Sequence, residues 1–384
     1  VKSEALDLFL SEALRCTLGR AAPPAWPSAW PDDQSFHDAL VARISFHGIA
    51  LALLRKPALV ADWPQPVRDA VRAEACSQSF WELGHREVTT RLIDALAEAG
   101  IEGIFAKGTA LAYSFYPDPA MRRRGDSDIL IAEAVRNQAV MALRARGFRR
   151  LDDVQPLQES WAADCRMGNT HAFDLHWRVK SSPVLAQALE RAGIGTRTMP
   201  LPRLDGRALA LAPADNLLMV AVNRSSHDTF GYYVDNLKMF DQDRLIWALD
   251  VDLICAAFTE SVWQNLLETA RASGTGPLIH STLAFAAERL GTVVPADISQ
   301  ALAAEPGDAT LMRYLGDMPG LARLRLNLAA CQTLGAKVKM IRYTLFPRSQ
   351  NMRARFPDTA HWPLPALYAR RLWSGLRPGQ RQGA

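Results

Sequence analysis

At 384 residues, 49% hydrophobic and 22% charged, the chain is long enough for a sizeable core and too ordinary in composition for a disordered or coiled-coil protein. Its net charge of +4 is too small to argue by itself for a nucleic-acid partner. Five scattered cysteines without metal or redox spacing, no apolar run of membrane-spanning length, and no basic-then-apolar leader in residues 1–6 give the expectation of a cytoplasmic protein.

Residues 6–99 carry apolar positions at helical spacing, interrupted by a Pro- and Trp-rich loop at 21–31. Residues 66–99 read as one long helix or two abutting ones, from Pro66 to a break at Gly100. The period then changes. Residues 101–106 and 128–132 are strand candidates, 133–146 a helix ending at Gly147, and 148–152 and 170–179 further strands. After a link at 193–207, helical patterning returns from Ala214 to about residue 330, as at 261–267 and 277–283. The expected architecture is α+β. An N-terminal helical region (1–99) precedes an α/β core with a mixed sheet (100–195), a mainly helical region (196–375) and a frayed tail (376–384).

The chemical signal lies between Lys107 and Asp128. Lys107-Gly108-Thr109 turns from a strand into a helix; glycine permits close approach, and a helix start offers N–H groups to phosphate oxygens. Asp126 and Asp128 are two apart on a strand and so share a face, where they would repel unless a cation or a proton intervenes. In residues 171–177, alternation puts Asp174 and His176 on one face and Phe173, Leu175 and Trp177 on the other. Asp174 is thereby the candidate third carboxylate and His176 an accessory position. Mg2+, with Mn2+ as the alternative, suits such a carboxylate set plus triphosphate oxygens. Lys107, Gly108, Thr109, Arg122 and Arg124 are the candidate phosphate-binding residues, the cations offsetting phosphate charge. His227 and Asp250 read as structural helix residues, Trp247 and Trp263 as core, and the remaining histidines show no zinc spacing.

Lys107-Gly108, the Arg-Gly-Asp-x-Asp-Ile-Leu-Ile stretch ending at Ile131, and Asp174-Leu175-His176-Trp177 resemble the uncharacterised bacterial nucleotidyltransferase family of the polymerase-β superfamily. The resemblance continues loosely at 209–218, His227, 245–250, 345–347 and 368–372. It implies a minimal nucleotidyltransferase core and Mg2+-dependent transfer of a nucleoside monophosphate from an NTP to an acceptor it does not name. Gly108-Thr109 replaces the superfamily's Gly-Ser, and the Lys-Gly form is also similar to abortive-infection toxin nucleotidyltransferases, whose suggested acceptor is tRNA. Ten Lys/Arg residues between 337 and 381 fit that alternative, while the small overall charge does not favour nucleic acid. A non-catalytic nucleotide-binding module is the third reading; three retained acids weigh against it. Oligomeric state is not legible.

Overall fold

The computed structural model describes residues 3–376 except 156, 181, 235–236, 240–242, 347–348, 350–351 and 354–355. The tail expected at 376–384 thus lies, beyond its first residue, outside the described residues. Helices α1 (Ser3–Thr17), α2 (Gln34–His47), α3 (Ala50–Leu54) and α4 (Gln65–Glu98) come first. Helix α4 starts at a proline pair flanking Gln65 and runs 34 residues, about 51 Å, because no proline interrupts it.

Strand β1 (Ile104–Ala106) leads into helix α5 (Lys107–Ser114), and strand β2 (Asp126–Leu130) into helix α6 (Arg136–Ala145). Strands β3 (Arg149–Gln155), β4 (Gln158–Asp164) and β5 (Thr170–His176) follow, then helix α7 (Pro183–Arg191) and two short strands, β6 (Thr198–Pro200) and β7 (Leu209–Leu211). The seven form one mixed sheet in the order β3-β4-β5-β2-β1-β7-β6. The pairs β2/β5 and β1/β7 are parallel and the others antiparallel. The architecture is therefore α+β, and the sheet runs past the boundary drawn at residue 195, since β1 pairs with β7.

The remaining chain is mainly helical. Helix α8 (Pro213–Phe230) leads through a hairpin, β8 (Tyr232–Val234) and β9 (Leu237–Met239), to α9 (Leu245–Ala256). Helices α10 (Glu260–Ser273) and α11 (Gly276–Leu290) and shorter ones complete it. No helix among the described residues is long and apolar enough to cross a membrane.

The two faces of the sheet have different neighbours, as strand alternation requires. Phe105, Ile129, Trp161, Phe173 and Leu175 pack with Val88 and Leu92 of α4 and Leu143 of α6. Ile104, Ala106 and Leu211 belong to a larger apolar cluster that includes residues of α1, α2, α3, α8, α9 and α11. The three acids singled out in the sequence lie on this second face. Their strands are thus anchored from behind by the first cluster and overlooked by the helical region.

Candidate active site

Register brings the acids together. Asp128 is the direct partner of Asp174 across the parallel β2/β5 pair, and Asp126 stands opposite Ala172. His176, one alternation further on, places Nε2 2.8 Å from Oδ1 of Asp128. Candidate ligand atoms of Asp128, Asp174 and His176 all lie within 4.8 Å of one another, close enough for one metal ion. Strand β4, which the sequence reading did not find, orients Asp174: Ser160 donates to its Oδ1 at 2.6 Å and Gln158 Nε2 to its Oδ2 at 2.9 Å.

Lys107 reaches the same cluster, its Nζ 2.5 Å from Oδ1 of Asp128. Its φ of 53° is the only positive value at a non-glycine among the described residues. A lysine in the left-handed region costs roughly 1–3 kcal/mol, strain that persists where the surroundings impose it. Here the turn from β1 into α5 must begin directly after Ala106, whose partner on β2 is Asp128. Lys107→Gly and Lys107→Ala remove the same ammonium, but only glycine relieves the backbone. Glycine is expected to leave the protein about 1 kcal/mol more stable than alanine in urea denaturation; equal stability would contradict the left-handed turn.

The electrostatics show a cluster of like charges held together by cations. Burial alone would raise Asp128, but the Lys107 ammonium and the His176 hydrogen bond hold it well below the usual carboxylate range. Crowding by protein, together with the charge of Asp128, pushes Asp126 up to about 7. Because Asp126 remains exposed, the like charge is the sturdier cause. Burial and Asp128 also raise Asp174, against the lowering hydrogen bond from Ser160. Lys107 stays charged because its three acidic neighbours outweigh burial. A second cation, Lys180, lies beyond β5 and was not singled out in the sequence. Burial and the nearby Lys107 charge bring it down to about 7, and its Nζ donates to Oδ1 of Asn223 on α8.

The remaining candidates are engaged within the protein. Thr109 is buried, its Oγ1 2.5 Å from Oγ of Ser127, which also meets Nε2 of His85 at 2.7 Å. Arg124 donates to Thr109 Oγ1 at 3.0 Å and to Glu82 Oε1 at 2.9 Å, its side chain only 3% exposed. At Gly108 the close approach is made by the protein itself: a Cβ there would lie 3.2 Å from the Cβ and Cδ of Arg124. Arg122 donates through Nε to Oδ1 of Asp250 at 2.6 Å, and Tyr116 donates to the same oxygen at 2.7 Å. Helix α4 supplies Glu74 to Arg123, Glu82 to Arg124 and His85 to Ser127 from a polar stripe that also carries Gln78, all at helical spacing. That spacing was available in the sequence.

With this geometry in place, residues 34–291, two thirds of the chain, match the family described as uncharacterised nucleotidyltransferase. The chain belongs to this family. No curated protein matches it. Membership implies an NTP as substrate and gives the Asp-Asp-His cluster its setting, a metal-capable site in a nucleotidyltransferase.

Proposed function

We propose that the protein is a divalent-cation-dependent nucleotidyltransferase of the polymerase-β type, moving a nucleoside monophosphate from an NTP to an acceptor and releasing pyrophosphate. The observation that supports it most is the direct pairing of Asp128 with Asp174, with Asp126 two residues back on the same face. Three acids sharing one face are tolerable only with cations or protons among them. The raised Asp126 and Asp174 and the Lys107 contact fit that requirement. His176 Nε2 is spent on Asp128, so His176 orients that carboxylate, leaving an oxygen set from Asp126, Asp128 and Asp174 that suits Mg2+ or Mn2+. When bound, such a cation supplies Lewis-acid stabilisation to the phosphates and lowers the pKa of an acceptor hydroxyl.

The protein's own groups do the rest. An acceptor oxygen attacks the α-phosphorus and forms a new P–O bond. The bond from that phosphorus to the bridging oxygen breaks, and its electrons leave with pyrophosphate. Asp174, held by Ser160 and Gln158, takes the acceptor's proton. Lys107 and Lys180 offset charge on the phosphates. Arg122, Arg124 and Thr109 act as positioning residues: their ion pairs and hydrogen bonds fix the loop that delivers Asp126 to the site.

The test is incubation with each of the four α-labelled NTPs, Mg2+ and pools of small hydroxylated molecules, protein and tRNA. Label transfer with pyrophosphate release, lost in Asp126→Ala and Asp128→Ala, is the expected result. Binding of NTP without turnover by any acceptor pool would sink the enzymatic reading. Transfer confined to tRNA would move it to the toxin-like alternative that the basic residues 337–381 favour.

A further inference from the structure

Beside the acidic cluster, at the entry to β2, lies a cleft of about 370 Å³ lined by Gln78 and Trp81 of α4, Arg122–Gly125, and Arg244. Gly125 immediately precedes Asp126 on the chain, and none of the three acids itself lines the cleft. Its volume falls in the range of small-molecule sites and is too small to enclose a folded polynucleotide.

Two features of its wall are left incompletely paired among the described residues. Gln78 is 8% exposed, yet neither its Oε1 nor its Nε2 has a hydrogen-bond partner among the described residues. A buried amide left open costs roughly 1–3 kcal/mol per group, and native proteins rarely leave one without a reason. Its stripe neighbours are engaged: Glu74 pairs with Arg123 and Glu82 with Arg124. The second feature is Arg244. Of the four guanidinium groups on the wall, those of Arg122, Arg123 and Arg124 each meet a carboxylate. Arg244 donates to the carbonyl oxygen of Phe46 at 2.5 Å but pairs with no acid among the described residues. Burial and the charge of Arg122 lower it to about 10, against the smaller opposing influence of Tyr232 and Asp250. Gly48, in the left-handed region, makes room for the Arg244 side chain, since a Cβ there would lie 2.9 Å from its Nη2.

The aromatic wall does not offer a stacking platform. Trp81 stacks on His85 at 4.3 Å between centroids and carries the Arg124 guanidinium at 5.3 Å. The open groups are therefore polar: a guanidinium needing an oxyanion, and an amide able both to donate and to accept.

We propose that this cleft is the acceptor site, and that it takes a small acceptor carrying an oxyanion beside a hydroxyl or amine. Arg244 and Gln78 Nε2 hold the oxyanion, and Gln78 Oε1 accepts from the neighbouring donor. This rests on the transferase reading for the word acceptor, but its test needs no turnover. Inorganic phosphate and glycolate, which present this chemistry on phosphorus and on carbon, are titrated separately by calorimetry into metal-free, nucleotide-free protein. At least one probe is expected to bind at a single saturable site. Gln78→Leu, Gln78→Glu and Arg244→Met should each weaken it at least about tenfold, the loss of one hydrogen bond to a charged group. Binding of ATP with Mg2+ should be unchanged in the two Gln78 variants, which also shows that they fold. Which probe binds tells phosphate from carboxylate acceptors. The proposal is overturned if neither probe saturates, if the Gln78 variants bind as wild type does, or if ATP displaces the probe, which would make the cleft a triphosphate site. Probe binding without pyrophosphate release would sink the transferase reading alone; release without probe binding would sink this one alone.

Discussion

Asp128→Asn is expected to lower pyrophosphate release by roughly a thousandfold or more, because it removes the carboxylate on which the whole cluster converges. Asp128 receives Lys107 and His176 and faces Asp174 across the strand pair. Losing several kcal/mol of transition-state charge stabilisation corresponds to that factor at about 1.4 kcal/mol per tenfold. The fold should survive, since asparagine keeps the shape and relieves repulsion on Asp126 and Asp174. A folded Asp128→Asn protein retaining a tenth of wild-type activity would show that this acid is not at the chemical centre.

The largest effect on stability is expected at Asp250. It is 1% exposed and accepts from both Arg122 and Tyr116, tying the loop before β2 to α9. Asp250→Ala strands the Arg122 guanidinium, and breaking one side of a buried pair costs about 3–5 kcal/mol. The double variant Arg122→Met with Asp250→Leu removes both charges and should recover most of that loss in urea denaturation. If the double variant is as unstable as the single one, packing rather than an uncompensated charge is the cause. Because Arg122 sits four residues before Asp126, Asp250→Ala should also lower activity in the fraction that remains folded.

These residues mark how far the sequence could be read. Helix α4 was visible from its end signals, and β2 and β5 from alternation, which already placed Asp174 and His176 opposite Phe173 and Leu175. Strand β4 was not, because the polar and small residues around Trp161 in Gln158–Asp164 do not alternate cleanly, and its value lies in what Ser160 and Gln158 do for Asp174. Locally, Arg122–Arg124 show only cations beside acids, which invites a phosphate-binding reading. Their partners Asp250, Glu74 and Glu82 are 128, 49 and 42 residues away, and no local pattern reveals a pairing that only the fold creates. The strain at Lys107 is likewise a property of the turn and not of the residue type.

The most direct test of the three-acid site is where a nucleotide and its cation sit. A crystal structure with a non-hydrolysable NTP and Mg2+ is predicted to show the cation held by Asp126 and Asp128, triphosphate oxygens completing its shell, and the α-phosphorus turned towards Asp174. A nucleotide bound away from this face, with the Lys107 ammonium still on Asp128 and no cation among the three acids, would contradict it.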